Sequence, residues 1–318
     1  MKRKLVLIIG ALIIIGCMVM GIVSGFDLED NQIETLKILG YVCAGSALYC
    51  FVVGELSKNY SQMDKLWSIL PIAYTWIVTI RANFTFRLVI ISILITLWGI
   101  RLTFNFARKG AYSIKFWSGE EDYRWKYLRE NTVLKNKLLF TIFNLFFISI
   151  YQNALVLGMT LPTVAIMNST APFNALDVIA TVVALFFLIY ETIADEQQNS
   201  FQSTKWKLIK EGKPLEELPK PYNLGFNTTG LWKRSRHPNY LGEQMYWFGI
   251  YLFAIAGVVT KYGVFNWSIL GSMFIFLLFM GSSTLGEKIS ASKYPLFMDY
   301  QDKILKYLPI HGYKSPEE

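Results

Sequence analysis

GLWKRSRHPNYLGE, residues 230–243, sets Lys233, Arg234, Arg236 and His237 directly ahead of an apolar run. Pro238 stands where proline is best tolerated, at the first position of a helix whose interior begins at Tyr240 and Leu241. The open amides of a helix start carry partial positive charge and add to the cations. Together they suit a polyanion. Glu243 lies far enough into the helix to accept a hydrogen bond from the same ligand, and we expect a phosphate-bearing cofactor. Cations at helix ends are also the ordinary flanking charge of membrane proteins. Flanking charge requires neither an imidazole, nor the Asn239 amide, nor a carboxylate inside the apolar run, so the two readings part at those residues.

The surrounding chain is a membrane protein by composition. Its 318 residues are 53% hydrophobic, with a mean hydropathy of +0.35, too apolar for soluble domains of this length. Runs long enough to cross a bilayer, about 20 residues each, begin near residues 5, 38, 66, 88, 138, 174, 241 and 266. The expected fold is an all-α polytopic bundle, a seven-helix core plus one N-terminal helix. The third and eighth runs carry polar interruptions, so seven is the alternative count. Orientation follows the cations of short loops. With the N-terminus inside, 26 of the 31 Lys and Arg fall in cytoplasmic segments and four, Lys37, Arg81, Arg87 and Lys261, outside. Arg101 lies within a helix. Both termini are therefore expected in the cytoplasm, and the net charge of +8 reflects topology, with no nucleic-acid partner implied.

Residues 1–23 pair a Lys2-Arg3-Lys4 start with an apolar run that continues past Cys17, which favours a retained anchor helix over a cleaved signal. Residues 38–318 form the expected membrane domain. Cys17, Cys43 and Cys50 lack paired spacing, and His237 and His311 are the only histidines, so neither a disulfide framework nor a metal site is expected. The chain has no GxGxxG, P-loop or nucleophile elbow, so a dinucleotide would need another cradle.

The signature resembles the RHPNYxGE element of the DUF1295 proteins, a branch of the steroid 5-alpha-reductase superfamily related more distantly to sterol reductases and isoprenylcysteine carboxyl methyltransferases. The resemblance extends through SQMDKLWSILP (61–71), WGIRL (98–102), GEEDYRW (119–125) and ETIADEQQ (191–198) to Tyr294, Tyr300 and Leu308-Pro309. It implies NADPH as cofactor, bound by Lys233, Arg234, Arg236, His237, Asn239, Tyr240 and Glu243. Glu191, Asp195 and Asn199 would add contacts to ribose or nicotinamide, Arg101 would reach an anion or the interface, and Asp122 with Arg124 would roof the cofactor. Tyr294 and Tyr300 would come from a tail folded beneath the helices.

In steroid 5-alpha-reductases a Gln-Glu pair acts on the substrate carbonyl, and its counterpart here is Gln62 with Asp64, one residue off in spacing. Asp64 also suits an N-cap of a helix beginning near Lys65. Trp98 stands where the steroid enzymes carry a tyrosine three residues before the equivalent of Arg101. Read alone, Glu191 and Asp195 fall one turn apart near the end of a helix from 174 to about 193, an unfavourable place for acids. The Pro- and Lys-rich segment 210–222 reads as a loop closing over the site.

The resemblance implies an NADPH-dependent oxidoreductase that reduces a lipophilic enone, with a steroid 3-oxo-4-ene as the model substrate. The substrate would arrive from the bilayer, the partners would be that lipid and the membrane, and the chain would act as a monomer. A bacterial plasma membrane is expected ahead of the endoplasmic reticulum. An S-adenosylmethionine-dependent methyltransferase and a non-enzymatic lipid-binding protein stand as alternatives, the former disfavoured by three cations facing a cofactor without phosphate.

Overall fold

The computed structural model describes residues 2–316. Side chains of residues 1–9 and 11, including the cations Lys2, Arg3 and Lys4, lie outside the description. The described residues form twelve α-helices and no strand. They are α1 (Lys2–Val23), α2 (Asp30–Ser57), α3 (Gln62–Leu66), α4 (Leu70–Arg81), α5 (Phe86–Ala107), α6 (Tyr123–Asn131), α7 (Lys137–Phe143), α8 (Gln152–Ile166), α9 (Ala175–Lys210), α10 (Pro238–Tyr262), α11 (Ile269–Lys293) and α12 (Phe297–Lys303). A π-helical stretch, Asn144–Tyr151, joins α7 to α8.

Among the described residues, six segments are long and apolar enough to cross a membrane: α2, α5, Lys137–Ile166, α9, α10 and α11. This is a multi-pass helical bundle, as the hydropathy runs imply. The third run differs from expectation. It breaks into five-residue α3 and twelve-residue α4, and α4 is about 18 Å long at 1.5 Å per residue, short of the hydrocarbon thickness. Residue 38, the expected start of the membrane domain, falls inside α2. The larger correction concerns α9, which continues to Lys210. Glu191 and Asp195 are therefore mid-helix, and the dipole penalty inferred for them does not apply.

The chain divides into two compact units, Met1–Val182 with Trp247–Leu277, and Val183–Tyr246 with Leu278–Glu318. In the first unit, loops expected on the same side of the membrane do meet. At one end Arg87 holds Asp177 at 2.6 Å and the carbonyls of Ala171 and Pro172, while Lys261 reaches Glu29 at 3.1 Å. At the other end Asn59 donates to the Gly119 carbonyl at 2.9 Å. Within the bundle α8 and α11 touch backbone to backbone. A Cβ on Gly271 would sit 1.9 Å from the Gly158 carbonyl oxygen, the close approach that small residues permit between membrane helices.

Candidate cofactor and proton-donor sites

The second unit contains the 230–243 signature. Its turn is built by neighbours on α9 and the C-terminal segment. Gln197 Oε1 accepts from Leu231 N at 2.8 Å, and Trp232 Nε1 donates to the Ala194 carbonyl at 2.9 Å. From the other direction, the amides of Arg236 and His237 donate to the carbonyls of Leu305 and Lys306 at 3.2 and 2.9 Å, and Tyr313 N donates to the Lys233 carbonyl at 2.8 Å. Helix α10 then begins at Pro238, as the proline implies.

The four cationic candidates separate. Lys233 and Arg234 are exposed and make no ion pair among the described residues. Arg236 is buried: its Nε donates to Glu287 Oε1 at 2.8 Å and its Nη1 to the carbonyls of Gln301 and Ile304 at 2.6 and 2.8 Å. That guanidinium is committed to the fold, which corrects its assignment to a cofactor phosphate. His237 Nε2 also meets Glu287 Oε1, at 2.9 Å, and its ring stacks on Tyr240 with centroids 5.2 Å apart. Burial lowers the imidazole below its ordinary pKa against the pull of Glu287. Gln301 Nε2 completes the hub at 3.0 Å from Glu287 Oε2. Glu287 is the residue that sequence reasoning left without a role, and its signal was a lone carboxylate in an apolar helix.

Behind the exposed cations lies a set of acceptors. Glu191 and Asp195 on α9 and Glu243 on α10 are all buried. Asn239 Nδ2 donates to Asp195 Oδ1 at 3.2 Å, while Asn239 Oδ1 and Gln198 Oε1 are buried atoms with no hydrogen-bond partner among the described residues. Asn199 follows on the same helix, half-buried. The two helices approach closely because Gly242 has no side chain: a Cβ there would lie 2.6 Å from Glu191 Cβ. Buried acceptors that lack donors fit ribose hydroxyls and a carboxamide amino group.

Two tail tyrosines have structural roles in place of the expected cofactor contact. Tyr300 is 2% exposed and packs with Phe226, Phe297, Ile304 and Tyr313, and its hydroxyl donates to the carbonyls of Trp232 and Ser235. The Tyr294 ring occupies the space a Cβ of Gly225 would need, and its hydroxyl accepts from Lys205 Nζ at 3.4 Å.

The first unit holds Arg101, half-buried on α5, and joins the 61–71 and 119–125 blocks into one cluster. Asp122 caps α6 and accepts from Arg124 N at 2.9 Å, while its own amide donates to Ser61 Oγ at 2.9 Å. Tyr60 N donates to Glu121 Oε1 at 3.0 Å. Lys65 Nζ, fully buried, donates to the carbonyls of Phe116 and Ser118 at 2.8 and 2.6 Å. Gln62 is equally occupied. Its Nε2 donates to the carbonyls of Asn59 and Trp117 at 3.0 and 2.9 Å, so it braces the loop, which corrects its assignment to the substrate carbonyl.

Asp64 sits within α3, whose N-cap position is Ser61, so the capping account of Asp64 falls. It is half-buried and accepts from Trp125 Nε1 at 3.0 Å. Burial first, and the Asp122 charge second, push its carboxyl above the usual range. Burial would raise Asp122 as well, but the Arg124 guanidinium, 2.8 Å away, overrides it and holds that carboxyl below the usual range. Neighbouring carboxylates driven in opposite directions form an acid and an anion at one pH.

Comparison with known proteins agrees with the blocks on which both clusters are built. A family described as "Protein of unknown function (DUF1295)" matches residues 50–304. Uncharacterized protein C594.04c of Schizosaccharomyces pombe is 35% identical over 291 residues, covering 86% of this chain and 77% of that protein. No solved structure matches the chain. The matched span takes in every block from Ser61 to Tyr300 and more than half of the sequence. The chain belongs to the DUF1295 family.

Proposed function

We propose that this chain is a membrane-embedded, NADPH-dependent reductase of a lipophilic carbon–carbon double bond conjugated to a carbonyl, acting as a monomer with both termini in the cytoplasm. One observation supports it most directly. Among the described residues, the second unit combines two exposed cations without ion pairs, Lys233 and Arg234, with the donor-less buried acceptors Asn239 Oδ1 and Gln198 Oε1. Lys233 and Arg234 would take phosphates, and Asp195, Asn199 and Asn239 would take hydroxyl and carboxamide donors. NADPH, when bound, supplies a hydride. In the first unit the raised Asp64 carboxyl donates a hydrogen bond to the carbonyl oxygen of a lipid from the bilayer and stabilises the enolate-like charge that develops there. Trp125 fixes the orientation of that carboxyl, and burial together with the Asp122 charge favours its protonated form against the opposing pull of Arg124.

A methyltransferase using S-adenosylmethionine gains from the fate of Arg236. With that guanidinium committed to Glu287, two cations remain in place of three, and the buried carboxylates Glu191, Asp195 and Glu243 would suit a sulfonium. The experiment that separates the readings is turnover in proteoliposomes with testosterone as the enone and NADPH as reductant, followed by product analysis. Asp64→Asn should lower kcat by about 100-fold or more with NADPH affinity unchanged. Wild-type turnover in the Asp64→Asn variant would remove Asp64 from the mechanism, and absence of enone reduction in the wild type would remove the reductase.

A further inference from the structure

Past the exposed Lys137 at its start, the apolar helical run 137–166 keeps most of its polar side chains buried. Its middle, Asn144–Tyr151, winds as a π-helix, a form found mostly as short bulges and often at functional sites. The wider turn brings the Ser149 hydroxyl to 3.4 Å from Asn144 Oδ1. Asn144 Nδ2 donates to Glu55 Oε1 on α2 at 2.9 Å. One turn on, Asn153 Nδ2 donates to the Ser149 carbonyl at 2.7 Å, with the Cys50 thiol of α2 at 3.7 Å. Asn144, Ser149 and Asn153 are all fully buried. The result is a polar stripe inside the membrane-spanning part of the first unit.

The stripe ends on an open acceptor. Asn153 Oδ1 is buried and receives no hydrogen bond among the described residues. Across the junction where α2, α4 and α8 pack on one another, Tyr74 is also fully buried, and its hydroxyl makes no hydrogen bond of normal geometry. A polar neighbour of that hydroxyl, the Cys43 thiol, is a weak partner. Cys50 lies within electrostatic reach of Tyr74 and of Asp64, which places the junction beside the proton-donor cluster. An unmet buried polar atom costs about 1–3 kcal/mol, and folded proteins keep few of them without a reason. Here one is an acceptor and the other can donate. The group complementary to both is one that donates and accepts through a single oxygen, an alcohol; a ketone could use Tyr74 alone.

We propose that the α2–α4–α8 junction binds the hydroxyl group of a lipophilic ligand, with Asn153 Oδ1 accepting from that oxygen and the Tyr74 hydroxyl donating to it. The inference rests on the reading that the first unit receives the lipophilic substrate, and it narrows that substrate to a hydroxyl-bearing one. Asn153 and Tyr74 are then specificity residues, distinct from the proton donor.

The test compares binding of testosterone and of the analogue lacking its hydroxyl to the full-length, detergent-purified protein, by equilibrium dialysis without cofactor. Because no turnover is read, failure of the reductase reading leaves this result standing. Wild type should prefer testosterone by about tenfold, the worth of one to two net hydrogen bonds. Asn153→Leu and the near-isosteric Tyr74→Phe should each bring the preference towards unity with affinity for the analogue unchanged. Equal binding of both ligands by the wild type, binding of neither, or a preference that survives both substitutions overturns the site. A fall in affinity for both ligands alike in both variants overturns it too, since that is the signature of packing.

Discussion

Replacing Glu287 with Gln tests whether the buried hub holds the signature turn in place. The carboxylate accepts from Arg236 Nε at 2.8 Å, His237 Nε2 at 2.9 Å and Gln301 Nε2 at 3.0 Å, with Lys306 Nζ at 3.9 Å. Gln keeps the shape, removes the charge, and turns one acceptor into a donor that faces other donors. Breaking a buried ion pair from one side costs roughly 3–5 kcal/mol. Arg236 retains the carbonyls of Gln301 and Ile304, so the lower end, about 3 kcal/mol, is expected. For a chain of this size that is a fall in Tm of roughly 5–10 °C, read by thermal unfolding in detergent. Arg236→Met combined with Glu287→Leu should cost much less than the two single changes added together, because an apolar pair leaves no stranded charge. A Glu287→Gln shift below about 1 °C, or strict additivity in the double variant, would refute the hub as the anchor of this turn.

Gly242→Ala should force α9 and α10 apart, since the new methyl would meet Glu191 Cβ at 2.6 Å and Cα at 3.0 Å. The expected cost is about 1–3 kcal/mol, together with loss of cofactor-dependent stabilisation, both visible in one thermal-shift series. The His237 imidazole is held below its ordinary value of 6.5, so the native state binds fewer protons than the unfolded chain as pH falls through that value. Its stability is fully present above about 6.5 and is lost progressively below it, and His237→Gln should flatten that part of the Tm–pH curve. The Asp64 shift has the opposite sign: the acid form persists above the ordinary Asp value of 3.8. Turnover should therefore decline as pH rises through the elevated Asp64 pKa, and Asp64→Asn should remove that limb from the kcat profile.

Much of the fold was legible because bilayer thickness sets helix length, and cation placement predicted which loops share an end of the first unit. The exceptions have physical reasons. Apolar composition across 66–81 could not show that the chain breaks between Leu66 and Leu70 and restarts with Pro71 in the first turn of α4, nor that α9 continues beyond its apolar part through a polar stretch packed by the 227–232 turn. The candidate site was legible as a neighbourhood but not as a division of labour. Sequence cannot tell an exposed arginine from a buried one, so Arg234 and Arg236 read alike until Glu287, 51 positions downstream of Arg236, claims the second. Gln62 stands in the first cluster with its Nε2 held by the Trp117 carbonyl, a loop partner 55 residues away that local sequence does not reveal. The opposed poise of Asp64 and Asp122 likewise arises only when α3 and α6 meet.

The central claim is that the second unit binds a phosphorylated dinucleotide through Lys233, Arg234 and the α9–α10 acceptors. The most direct test is the thermal stabilisation of the purified wild-type protein by NADPH, NADH and S-adenosylmethionine at matched concentrations and two salt levels, with Lys233→Ala/Arg234→Ala alongside. Ligand binding raises Tm by mass action, and contacts to exposed cations weaken with salt. The account predicts the largest shift with NADPH, smaller at high salt and largely lost in the double variant. Stabilisation by S-adenosylmethionine alone would contradict it in favour of a methyltransferase, and no stabilisation by any of the three would leave a lipid-binding protein without a nucleotide cofactor.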